Sequence, residues 1–293
     1  MFVDNNWYGQ RSILSEYCNI TDASAFAYIQ HGALNRITET DFKKSNINRI
    51  KYLCWNERLK KIIDKNCSTN AIIIGAPFIY LNYIMSRNID LKNIKTNGTI
   101  VFPTKSTYEL NRDIDYNELT EFVEKNCEGP YSISIYYSDL FKNFYVIKKK
   151  KWKIISFGKR TDKNFLKKFY NEIIKYNTVI CTSINSAFYY SCYLKKKTIL
   201  FFQDYDKNSL VLSSDKKLIK SNHIILKENP GLKENKLSKE SLYMLACKEL
   251  GHYYRKTPTE LKDLLGWSSF SKVYLAKILS AFYDLIDGYN KRY

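Results

Sequence analysis

Histidine and glycine are both scarce in this chain, and their scarcity removes whole classes of chemistry. The three histidines, His31, His223 and His252, lie far apart and none belongs to an H-E-x-x-H motif, so no metal site is legible. The ten glycines never fall into G-x-G-x-x-G, G-x-x-x-x-G-K-[ST] or G-x-S-x-G. That takes away the main support for dehydrogenase, P-loop and α/β-hydrolase readings. No apolar run approaches the roughly 18 residues that a membrane-spanning helix needs. The N-terminus, MFVDNNWYGQRS, lacks the basic flank and apolar stretch of a secretion signal, so the expected location is the cytoplasm. The seven cysteines form no C-x-x-C pair and sit singly in apolar stretches such as VICTS and YYSCYL, which reads as reduced core thiols.

Acidic residues are also few. Against 29 Asp and Glu stand 47 Lys and Arg, a formal charge of +18 over 293 residues. Such a balance implies an anionic partner: nucleic acid, an acidic lipid surface, or phosphorylated small molecules. Zinc-finger spacings, an RNA-recognition signature and helix-borne basic stripes are absent, which favours a nucleotide or a membrane surface over nucleic acid. Abundant Lys, Asn, Ile and Tyr together also match what an AT-rich genome produces, an explanation of the charge that involves no partner.

What is present is an alternation of short β-rich runs with longer helical patterns, the signature of parallel α/β units. FAYIQ, IKYLCW, AIIIGAP, GTIVFP and SISIYY read as strands, with NERLKKIIDKN and YNELTEFVEKN as helices between them. WKIISFG restarts the pattern, followed by the helix DKNFLKKFYNEIIKY, the strand TVICT, the helix SAFYYSCYL and the strand KTILFFQ. The lysine run 148–151 cannot be buried and is the expected linker. This predicts an α/β acceptor-side domain over 1–147, an α/β nucleotide-binding domain over 148–235 and a helical tail over 236–293 that packs across both. Within the tail, Thr257 followed by Pro258 and Glu260 spells a capping-box start.

Phosphate can be held at a helix N-terminus without a glycine fingerprint. In TVICTSINSAFYYSCYL a strand ends at Thr182, and Ser183, Asn185 and Ser186 lead into a helix, so backbone N–H groups and hydroxyls face an incoming anion. An ordinary N-cap made by Ser186 is the alternative. IISFGKRTD has the same form, with Gly158, Lys159 and Arg160 beyond a strand, and adjacent strands would bring the two loops into one cleft. FPTKST offers Lys105, Ser106 and Thr107 after another strand, and IYYSDL ends one with Asp139, a candidate base or a plain helix cap. The rival base is His31, at the end of the strand in AYIQHGALNR and beside Gln30 and Gly32.

Taken in order along the chain, WYGQRSILSEYC, YIQHG, GTIVFPTKST, VICTSINSAFYYSCYLKKKTILF and LGHYYRKTPTELKDLLGW resemble bacterial surface-polysaccharide glycosyltransferases of the GT-B fold. That group includes transferases for sialic-acid-like and Kdo sugars and the CDP-glycerol polymerases. The resemblance implies two Rossmann-like domains facing across a cleft. By that pattern Ser183, Asn185 and Ser186 would contact the donor phosphate, and the strand-end loops read above add Thr182, Gly158, Lys159 and Arg160. His31 or Asp139 would deprotonate the acceptor, and Gln10, Gln30, Gly32, Lys105, Ser106 and Thr107 would bind it. The implied activity is metal-independent and cofactor-free transfer of a sugar, such as a sialic-acid-like sugar from a CMP donor, from a CMP-, UDP- or GDP-linked donor. The glycan or lipid-linked acceptor would belong to capsule or lipopolysaccharide, and the enzyme would sit at the anionic inner face of the cytoplasmic membrane. The histidine-proline pair of many bacterial sialyltransferases is absent. A CDP-glycerol-type polyol-phosphate transferase and a non-enzymatic basic nucleic-acid-binding protein are the alternatives.

Overall fold

A computed structural model describes residues 6–21, 23–33, 51–66, 70–88, 93–104, 114–136, 147–148, 150–202, 224–268 and 278. The chain forms two compact α/β units and passes between them four times. One comprises Met1–Leu91, Arg160–Lys167 and Lys248–Tyr293, the other Lys92–Lys159 and Lys168–Cys247. The expected boundary at 148 is therefore not where the chain divides. Lys148 lies between two strands of one sheet.

In the first unit β1 (Ala27–Ile29), β2 (Lys51–Cys54) and β3 (Ala71–Ile73) form a parallel sheet in the order β1-β2-β3. Their neighbours in the chain are α1 (Gln10–Tyr17), α2 (Glu57–Asn66) and α3 (Pro77–Asn88). Neither α1 nor α3 was expected. Pro77, Phe78, Ile79, Tyr80 and Leu81 are all buried, so α3 opens without the one-sided apolar periodicity that reveals a helix in sequence.

The C-terminal segment completes this unit. Phe26 N donates to Leu265 O, Trp267 Nε1 donates to Ser24 O, and Ala76 N donates to Leu250 O. Gly251 makes the tightest approach: with φ at +67°, a Cβ there would stand 1.8 Å from Trp55 O. Residues 160–167 also belong here, with Tyr8 N bonded to Arg160 O, Tyr8 edge-on to Phe165 at 4.9 Å, and Lys167 paired with Glu16 at 2.6 Å.

The second unit holds β4 (Thr99–Phe102), β5 (Tyr131–Ser134), β6 (Lys153–Ile155), β7 (Thr178–Cys181) and β8 (Lys197–Leu200). All pair in parallel, in the order β6-β5-β4-β7-β8. Burial follows that order. Every residue of β4 and β7 is buried, as central parallel strands covered on both faces require, whereas β6 is partly exposed throughout. The helices are α4 (Tyr116–Asn126), α5 (Phe165–Ile173), which begins in the first unit, and α6 (Ser186–Tyr193). Leu119 and Val123 of α4 pack with Val101, Ile133, Ile180 and Trp152. At the β8 edge, Asn235 Oδ1 accepts from Leu200 N at 2.7 Å and its Nδ2 donates to Leu200 O at 2.9 Å, pairing the strand as a neighbour would.

The tail expected over 236–293 is thus divided. Helix α7 (Lys239–Leu250) runs from the second unit into the first, and α8 (Pro258–Leu265) belongs to the first, opening on the expected capping box. FSKVYLAKILSAFYDLIDGYN lies outside the described residues except for Ile278. Of the cysteines described, Cys18, Cys54, Cys181, Cys192 and Cys247 are buried and Cys127 half-buried, none in a disulfide. Burial pushes the Cys18 thiol up to about 11 and those of Cys54 and Cys192 up to about 12, so they behave as small apolar groups. Among the described residues no helix is long and apolar enough to cross a membrane.

Candidate functional site

The strand order of the second unit contains a topological switch point. From β4 the chain proceeds outward through β5 and β6, then returns to β7 on the opposite side of β4 and continues to β8. The connections after β4 and β7 leave in opposite directions, which opens a crevice at the carboxyl ends of two central strands. Thr104 lies two residues beyond β4, and Thr182 immediately follows β7.

Their hydroxyls form one connected group. Thr104 N donates to Thr182 Oγ1 at 2.7 Å, the two Oγ1 atoms are 2.9 Å apart, and Thr104 Oγ1 donates to Ser183 Oγ at 2.8 Å. Asn185 Nδ2 donates to the same Ser183 Oγ at 3.1 Å. Counting protons fixes the directions. Thr104 has one hydroxyl hydrogen and gives it to Ser183, so Thr182 is the donor of the Thr104–Thr182 bond. Both lone pairs of Ser183 are then occupied, and its own O–H has no acceptor among the described residues. Ser183 is only 8% exposed, so this is a polarised donor in a largely desolvated setting.

The same residues start α6. Asn185, not Ser186, is the N-cap, its Oδ1 accepting from Phe188 N at 3.1 Å. One side chain therefore caps the helix through its oxygen and braces Ser183 through its nitrogen. Ser186 is the first residue of the helix, whose N-terminal dipole also favours negative charge.

The second basic loop is not brought here. β6 is separated from β7 by β5 and β4, so Gly158 and Lys159 follow the opposite edge of the sheet. Strands consecutive in this stretch of sequence are not neighbours, because the chain crosses β4 and β5 between them. Arg160 falls in the first unit, its guanidinium 3.8 Å from the centroid of the Trp7 ring. Lys105, Ser106, Thr107 and Asp139 lie outside the described residues. Thr104 was passed over in favour of the three residues after it; the cue was its place just beyond a fully buried parallel strand.

The first unit gathers its own polar cluster at the end of β1. Tyr28 Oη lies 3.0 Å from His31 Nδ1, and the Trp7 ring is 5.9 Å from the imidazole. Gln10 Nε2 donates to His31 O at 2.8 Å, while Gln10 Oε1 is buried with no donor among the described residues. Gln30 clamps the backbone around the end of β1. At 1% exposure its Oε1 accepts from Trp55 N and its Nε2 donates to Gly32 O, both at 2.7 Å, and Gln30 O accepts from Trp55 Nε1. The sequence reading found Gln10, Gln30, His31 and Gly32 and missed Tyr28 and Trp7, the side chains that hold the ring.

Two D-x-D triplets, Asp113–Asp115 and Asp204–Asp206, bear on the expectation of a metal-independent site, since such triplets offer paired carboxylates to a divalent cation. Asp115 is the N-cap of α4, its carboxylate accepting from the N–H groups of Asn117 and Glu118 at 2.9 and 3.1 Å. The other triplet and Asp113 lie outside the described residues. No protein-family model and no curated protein sequence matches the chain.

Proposed function

We propose that the chain is a glycosyltransferase of the GT-B kind, moving a sugar from a nucleotide donor to a bacterial surface glycan. The observation that carries the reading is the Ser183 hydroxyl at the β4/β7 switch point, which accepts from both Thr104 and Asn185 at the start of α6. Two parallel α/β units and a ring-held histidine at the end of β1 are further support.

In the proposed reaction the acceptor oxygen bonds to the anomeric carbon as the bond from that carbon to the nucleotide phosphate breaks. The acceptor proton passes to a general base, and the electron pair leaves with the phosphate. Ser183 O–H and the α6 N-terminus stabilise that developing charge, the electrostatic contribution that dominates many enzymatic transfers. His31 Nε2 is a base only when Nδ1 carries the ring proton, which Tyr28 Oη then accepts in both charge states of the ring.

Thermal shifts with CMP, UDP and GDP, free and sugar-linked, test the reading, since a ligand of the folded state raises its apparent stability. One base should give a clear rise in Tm, and its sugar conjugate should be turned over with a glycan acceptor. His31→Ala should lower turnover by about 10²- to 10⁴-fold at unchanged Tm. Absence of any nucleotide shift, together with strongly salt-dependent RNA or DNA binding, would replace the transferase with a nucleic-acid-binding protein.

A further inference from the structure

We propose that the surface of the first unit around Tyr83 docks on an anionic lipid bilayer through headgroup phosphates. On α3, Tyr83 and Arg87 are one turn apart, and the Arg87 guanidinium lies 5.6 Å from the Tyr83 ring centroid. A second guanidinium, Arg255, reaches the same ring from the segment joining α7 to α8, at 4.4 Å. Both arginines are exposed, and neither is ion-paired with a carboxylate among the described residues. Glu260, an acid near this patch, is engaged as the helix cap, its Oε2 accepting from Thr257 N and Oγ1 at 2.8 Å. Two guanidiniums sharing one small ring repel each other, and a phosphate oxygen is the group that relieves this while using their N–H donors.

The patch is preformed. Lys256 N donates to Tyr80 Oη at 2.9 Å and Tyr17 Oη donates to Lys256 O at 3.2 Å, tying the Arg255 segment to α1 and α3. Tyr17 stands edge-on to both Tyr80 and Tyr83, at 4.9 and 5.7 Å. Two residues before Arg255, Tyr253 is 72% exposed and lies edge-on to His252 at 5.2 Å. Burial and the neighbouring Arg255 hold His252 below its ordinary pKa, so at neutral pH it adds no competing cation. Paired guanidiniums, with an exposed tyrosine on the same connecting segment, suit the headgroup level of a bilayer, where aromatic rings and basic side chains both settle. The +18 formal charge supplies long-range attraction to such a surface, and a compact pair rather than a long cationic stripe argues against nucleic acid.

The proposal is independent of the transferase reading and is tested without any activity assay. The full chain is sedimented with vesicles of phosphatidylcholine alone or mixed with phosphatidylglycerol. Wild type should bind only the mixed vesicles. Arg87→Gln/Arg255→Gln should bind about thirtyfold more weakly, at about fivefold per charge. Arg87→Lys/Arg255→Lys should keep most of the binding, and Lys61→Gln/Lys65→Gln on α2, an equal charge change, should lose less than about threefold. Failure of wild type to bind, equal binding to neutral vesicles, equal losses in the two Gln pairs, or binding to RNA but not to vesicles would each overturn it.

Discussion

At the scale of single residues, Thr104 controls what Ser183 can do. Replacing Thr104 by Val leaves a similar shape but removes the hydrogen given to Ser183 and the oxygen that takes the hydrogen of Thr182. Ser183 is then free to turn its own O–H inward, and nucleotide binding should weaken by about tenfold, whereas Thr104→Ser should keep it; titration of both variants checks this. Lys196 offers a pH signature. Burial, helped by Lys239, pushes its ammonium down to about 8 from the ordinary 10.5, while its Nζ donates to Ile174 O. Between those two pH values the unfolded chain holds a proton that the folded chain has released, so this group makes stability rise with pH there. Below about pH 8 its full penalty is present. Lys196→Met should therefore be more stable than wild type at pH 7, with the advantage shrinking toward pH 10 in thermal melts.

Elements were legible where their residues carry a local rule. YNELTEFVEKN coincides with α4 end to end, and the Thr257–Pro258–Glu260 capping box stands as the sequence predicts, so Thr257→Ala should cost about 1 kcal/mol by denaturant unfolding. TVIC and TIVF are continuous apolar runs and became the two fully buried strands. Helix α3 was illegible because its first turns are buried on all sides. The site was half legible for a related reason. Ser183 and Asn185 announce a strand-to-helix turn in their own sequence, but their partner Thr104 is 79 residues from Ser183, and only strand order makes them neighbours.

At the scale of the whole molecule, domain boundaries were the least legible feature. Lys148, Lys150 and Lys151 lie between β5 and β6 of one sheet, and charge alone cannot distinguish a connection within a sheet from a linker. The C-terminal segment is integral to the first unit, since Gly251, Leu265 and Trp267 contact Trp55, Phe26 and Ser24. A chain ending at residue 247 should lose the first unit's unfolding transition in calorimetry and keep the second's. Gly251→Ala should destabilise the first unit by about 3 kcal/mol or more, because its Cβ would overlap Trp55 O.

The central claim is that the Ser183 hydroxyl reads a nucleotide phosphate at the β4/β7 switch point. Calorimetric titration of the nucleotide that raises Tm most, into wild type and Ser183→Ala, tests it most directly. Loss of a hydrogen bond to a charged group should weaken binding by about ten- to hundredfold, while the free variant keeps a cooperative unfolding transition. Equal affinity in the two proteins would contradict it.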